Sequence, residues 1–175
     1  MSDPIDSADS SDSPDTSAAQ ASSDYPRAGL WRRLAALLYD GFLVTAIWFL
    51  LGYLMQLVFG TGNELVDGQV QTNALQSNLL FALMLASASG FYIWFWTRSG
   101  QTLGMIAWRL RAQSVDNHLL SPQQGLVRWL LAWPSFACFG LGFLWLYLDP
   151  NGDALHDRWS GSKVVVLPKS HSPFN

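Results

Sequence analysis

Residues 34–59 read LAALLYDGFLVTAIWFLLGYLMQLVF, twenty-six positions with one charge, Asp40, entered directly from Arg32 and Arg33. At about 1.5 Å per helical residue this run exceeds the roughly 30 Å of a bilayer's hydrocarbon core, so it reads as a membrane-crossing helix. Two more apolar runs follow at 78–96 and 126–148, outside any alternation of strand and helix. The expected fold is an all-α multi-pass membrane protein with two clear spanning helices plus a third span or a bent re-entrant helical hairpin. Pro134 and the Gly140-x-Gly142 pair divide that third region into pieces too short to span separately. A single crossing would carry Arg158, Lys163 and Lys169 to the far side, whereas a hairpin keeps them with the other basic residues.

Composition supports membrane residence. Half of the 175 residues are apolar and nine are Trp, against ten Lys and Arg. The net charge of −3 conceals two unlike parts: residues 1–24 hold six Asp and no basic residue, which leaves ten basic and seven acidic groups, or +3, on the rest. The first part reads as a disordered Asp/Ser-rich cytoplasmic tail, because it has too little apolar surface to offset the entropy of ordering. Residues 25–167 form the membrane domain, and 168–175 a flexible carboxyl tail. The basic residues flank apolar runs instead of forming a stripe. That distribution points to membrane lipids as partners and argues against nucleic acid. The one cysteine, Cys138, cannot form an internal disulfide, and the three histidines lack metal-helix spacing; no cofactor and no metal is expected.

Arg27, Arg32 and Arg33 precede the first span, while the link from Gly60 to Ser77 carries Glu64 and Asp67 and no basic residue. The positive-inside rule therefore places the amino terminus in the cytoplasm. Trp108-Arg109-Leu110-Arg111 alternates like a half-buried strand, and Lys163 to Leu167 is a short β-branched run between Gly161 and Pro168. The pattern allows a small cytoplasmic β element that pairs the two and satisfies their edge groups.

Six polar residues stand out. Arg33 and Asp40 are seven positions apart, two helical turns, and share one face. A carboxylate about 10 Å of helix rise inside a span must be paired, hydrated or protonated. Asp40 is then part of a proton, cation or solute path tuned by Arg33, or it orients the helix by bonding a neighbouring helix end. Asp149, His156, Asp157 and Arg158, with Asp153, form a polar group immediately after the last apolar run. Asp149-Pro150-Asn151-Gly152 reads as a turn, which Asp157 would clamp to the cytoplasmic strands through Arg109, Arg111 or Arg158. No nucleophile elbow or paired-histidine helix accompanies them, so enzymatic activity is not expected.

Several blocks together resemble the RDD family of small integral membrane proteins, named for an arginine and two aspartates. They are Arg33 to Asp40, Gly100-Gln101-Thr102-Leu103-Gly104-Met105 continuing to Arg109-Leu110-Arg111, Gly140 to Trp145, and Leu155 to Val164. The resemblance implies that Arg33 and Asp40 are the first two named residues and Asp157 the counterpart of the third, with Asp149 the alternative. It also implies a bacterial plasma (inner) membrane protein. Many relatives resemble Thr-Pro-Gly-Lys where this chain has Thr102-Leu103-Gly104-Met105, so a lysine-dependent contact is missing here.

Two functions follow as expectations. One is transport of an ion or small solute, which three apolar segments would accomplish more readily as a homo-oligomer or with another membrane protein. The other is a structural, assembly or regulatory membrane module in which the polar pairs hold the helices together. Action on lipid at His156 and Asp157 is a third idea, for which no nucleophile is identifiable.

Overall fold

The computed structural model describes residues 25–60, 63–66, 69–138 and 140–169. The expected tail at 1–24 and the last six residues lie outside them. The first span is α1, Leu30–Phe59, and the second is α2, Ala74–Arg98. Both are long and apolar enough to cross a membrane. Their burial is inverted relative to a water-soluble bundle. On α1 the buried residues are Arg33, Ala36, Asp40, Val44 and Met55, whereas Phe42, Phe49 and Leu57 face outward, Phe49 at 77 % exposure. The buried positions at 33, 36, 40 and 44 follow helical spacing, so one stripe carries both charges inward and the large apolar side chains meet lipid.

Each helix starts and stops for a local reason. The Asn73 side chain accepts hydrogen bonds from Leu75 N–H and Gln76 N–H at the start of α2. Gly100, at φ +73°, turns the chain out of α2. A short helix α3, Leu103–Ala107, begins at Thr102, whose hydroxyl accepts from Met105 N–H. Strand β3, Leu110–Ser114, then leads to α4, Pro122–Ala137. Ser121 opens α4 with a capping box closed by Gln124 and with Pro122 in the first turn, where its missing N–H costs nothing.

The third apolar region is bent. Pro134 does not end α4: the helix runs three residues past the proline to Ala137, is capped by Cys138, and the chain enters α5, Leu141–Leu144, from Gly140 at φ +78°. A 3-10 turn, Trp145–Tyr147, continues α5, and α4 meets the segment Leu141–Tyr147 at 108°. Their contact is close, since a Cβ on Gly142 would lie 2.1 Å from the Ser135 hydroxyl oxygen. Cys138 is exposed at the end of α4. After the bend come α6, Leu155–Trp159, and strand β4, Ser162–Val166.

Strand β4 pairs antiparallel with β3, Leu110 opposite Val166 and Ser114 opposite Ser162. This is the β element anticipated from the sequence. Ala28 N–H donates to Val164 O at 3.0 Å, and Arg27 bridges to Val165. The bent region therefore leaves from and returns to one end of the bundle, the end where α1 starts and α2 stops. A core of Ala28, Ala36, Trp96, Met105, Leu110 and Val164 seals that end. The other end holds a hairpin that the sequence reading treated as a plain link: β1, Asn63–Val66, pairs with β2, Gln69–Thr72. Asp67-Gly68, a favoured hairpin pair, lies between them in sequence.

Candidate functional site

Asp40 of α1 is committed to a neighbouring helix. Asp40 Oδ2 accepts the Thr102 hydroxyl at 2.5 Å, and Oδ1 accepts Gly104 N–H at 2.8 Å. Both oxygens thus cap the start of α3 across the bundle, and the carboxylate charge meets that helix's free N–H groups. The approach requires glycine: a Cβ on Gly104 would fall 2.1 Å from Ala36 O and 2.9 Å from Asp40 Oδ1. Arg33 and Asp40 do share the inner face, but they do not pair with each other.

Arg33 binds Asp157 instead. Its Nη1 contacts Asp157 Oδ2, Arg128 Nη1 contacts Asp157 Oδ1, and Arg33 Nε donates to Ala28 O at 2.9 Å. Arg128 also donates to the Ser162 hydroxyl at 2.7 Å and stacks its guanidinium 4.9 Å over the Trp96 ring. Ala154 N–H reaches Asp157 Oδ2 at 3.3 Å, so the same carboxylate steadies the first turn of α6. Asp157 is fully buried, and burial alone would raise its pKa. The guanidiniums of Arg128 and Arg33 outweigh that and hold it well below the usual carboxylate range.

The remaining acidic residues form a separate rim. Arg158 pairs with Asp149 at 2.7 Å, and the sequence expectation that Arg109, Arg111 or Arg158 would clamp Asp157 is not met. The Asp149 carboxyl is held low, first by the Asp153 N–H and then by Arg158. Asn151 N–H donates to Asp149 Oδ2 at 3.0 Å, which makes this loop the turn read from its sequence. Asp153 pairs with Arg27, Nε to Oδ1 at 3.0 Å; burial nevertheless pushes its carboxyl up.

His156 lies against both groups, with Nε2 at 3.4 Å from Asp157 Oδ1 and its ring edge-on to Phe143. Burial lowers its pKa to about 4, against the pull of Asp157, so the imidazole is neutral near pH 7. The ordinary value is 6.5. Between 6.5 and about 4 the unfolded chain binds the extra proton and the folded one does not, so stability is lost as the pH drops through that window. The loss should reach roughly 1.4 kcal/mol per pH unit. In a pH series of thermal unfolding midpoints, His156→Gln (H156Q) should flatten this slope; parallel slopes for the two proteins would show that His156 does not set it.

Between α1, α2 and α4 lies a cavity of about 460 Å³. Arg33, Asp40, Arg128 and His156 stand on its wall, and the rest is mostly apolar, including Val44, Trp48 and Phe136. Sequence reasoning missed Arg128 and Thr102. An arginine two residues inside the 126–148 run was the available signal for the first. A threonine directly before a helical turn was the signal for the second.

Two lipid-facing helices, a bent third apolar region and a buried ionic network at one end define a small multi-pass integral membrane protein. The RDD family model matches residues 27–161, and the chain belongs to the RDD family. No curated protein and no solved structure matches it.

Proposed function

We propose that the protein binds a ligand in the cavity between α1, α2 and α4 and moves it across a bacterial plasma membrane, working as an oligomer with its amino terminus in the cytoplasm. The observation that carries this reading is the cavity itself. Its volume of about 460 Å³ is of ligand size, and a few polar groups, Arg33, Arg128 and His156 among them, stand in an otherwise apolar wall. A path coupled to a cation at Asp40 is a weaker form of the proposal, because both Asp40 oxygens would first have to release α3. The reading is non-enzymatic: the Asp157 oxygens are occupied by Arg33 and Arg128, which leaves His156 without a free carboxylate partner.

Full-length protein in vesicles should show a saturable solute flux that Gly41→Leu (G41L) reduces. Gly41 is on the cavity wall, and a Cβ there meets nothing within 4 Å, so the backbone leaves room for a side chain to start at that point. Asp40→Asn (D40N) separates the two roles of that residue. Its amide oxygen still accepts Gly104 N–H, so a purely capping Asp40 leaves flux per folded molecule unchanged, whereas a coupling Asp40 loses flux with folding retained. Absence of flux for all anions and cations tested, in correctly folded protein, would overturn transport.

The engagement of Asp40, Asp149 and Asp157 within the chain favours a second reading, an assembly or regulatory module whose polar pairs only hold the helices. In that case D40N lowers the recovery of folded protein or of a bound partner, and no variant has a flux to change.

A further inference from the structure

One end of the cavity has more hydrogen-bonding capacity than the protein uses. Arg33 Nη2, Arg128 Nε and His156 Nδ1 are buried and have no partner among the described residues. All three residues are at most 6 % exposed, and all three line the cavity. Buried polar atoms left in this state are costly unless something else satisfies them.

The charge count is also unbalanced there. Arg33 and Arg128 contribute two positive charges and Asp157 one negative, with His156 neutral, so one positive charge is left over. Asp153 does not cancel it, being held by Arg27, and Asp40 sits about 10 Å further along α1 with its oxygens turned to α3. Guanidiniums are suited to carboxylate and phosphate oxygens, which they bind through paired, directional N–H groups.

The shape of the cavity adds a second constraint. Its wall runs along α1 from Arg33 to Trp48, fifteen residues or about 22 Å of helix rise. A cavity of about 460 Å³ drawn out over that length is an elongated site, suited to an extended chain rather than to a compact solute. The walls beyond the polar end are those of a greasy slot: Leu37, Val44, Leu85 and Phe136 among them. A compact hydrated ion would leave most of that slot empty.

We infer that the cavity holds one single-chain anionic amphiphile drawn from the surrounding bilayer, its carboxylate or phosphate head against Arg33 and Arg128 and its tail extended toward Trp48. The inference rests on the cavity being the ligand site, as proposed above, and adds the chemical class of the ligand. Such a head supplies the negative charge that Asp157 alone does not, and its oxygens accept from the two idle guanidinium nitrogens. The tail replaces an unfilled apolar volume that otherwise forfeits dispersion contacts.

Trp48, Trp96, Trp129 and Trp133 line the cavity, so a brominated chain inside it quenches tryptophan emission. Full-length protein in phosphatidylcholine bilayers is titrated with dibrominated stearate at mildly alkaline pH, where its head is ionised, and in parallel with the methyl ester of the same acid. The stearate should quench saturably at a concentration about tenfold below the ester, since loss of a charge-assisted contact to buried arginine costs at least that much. Inorganic phosphate should not displace it. Gly41→Leu should weaken stearate quenching while the thermal unfolding midpoint is held, and Arg128→Lys should reduce the preference for stearate over ester.

Equal quenching by acid and ester, both weakened by Gly41→Leu, would overturn the anionic class while leaving the cavity as a ligand site. Quenching indifferent to Gly41→Leu would overturn the cavity as that site as well. Displacement of stearate by inorganic phosphate would assign the arginines to a free anion and overturn the amphiphile.

Discussion

Asp157→Asn (D157N) should cost the folded protein about 3–5 kcal/mol, the penalty for leaving a buried charge without its counter-ion. Two guanidiniums depend on this carboxylate, and Arg33, Arg128 and Asp157 are all buried. An asparagine keeps the shape and one acceptor oxygen, but removes the negative charge that offsets two positive ones. The substitution also weakens the bond to Ala154 N–H, so α6 loosens at its first turn. Unfolding in a denaturant series in mild detergent would measure the loss. Adding Arg128→Met to D157N removes one of the two stranded charges and should recover part of the stability. If D157N cost less than about 1 kcal/mol, the value of a surface pair, the triad would have to be solvated.

Gly104→Ala (G104A) should be nearly as damaging, although it adds only a methyl group. The added carbon would lie 2.1 Å from Ala36 O, a backbone atom on α1 that cannot rotate away. Relief requires α1 and α3 to separate, which overpacks or shifts the bundle at about 1–3 kcal/mol. Separation also stretches the Asp40 bonds to Thr102 and Gly104, and losing a helix cap costs about 0.5–2 kcal/mol more. The unfolding midpoint of G104A should therefore fall well below that of Gly90→Ala (G90A), where a Cβ meets nothing within 4 Å. Equal midpoints for the two variants would mean that α1 and α3 are not in contact.

The two spans were legible because hydropathy over twenty or more residues is a local property that tertiary contacts do not overturn. The β3 and β4 pairing was legible for a similar reason: short apolar alternation and a β-branched run mark strands wherever their partners lie. The bend in 126–148 stayed an open choice, since proline and glycine both break helices. Only the contact of Gly142 with Ser135 makes the glycine turn the one that closes. Side-chain partnership was the least legible level. Seven-residue spacing correctly put Arg33 and Asp40 on one face, yet it says nothing about what other elements bring to that face. Thr102 and Gly104 reach Asp40 first, and Asp157, 124 positions away in sequence, takes Arg33. Asp157 pairs with Arg33 and Arg128 rather than with the arginines weighed from sequence, because Arg128 comes from inside the apolar run.

The long sequence gap between Arg33 and Asp157 bears on how the molecule is made. A nascent chain emerges from its amino end, so α1 meets the translocation machinery and the lipid while α6 is still unsynthesised. Its arginine must stay near the headgroups in that interval, reaching outward as long cationic side chains do. Only when residue 157 arrives does that charge find its resting place inside the bundle, and a chain stopped short of α6 would retain an arginine that the bilayer cannot hide.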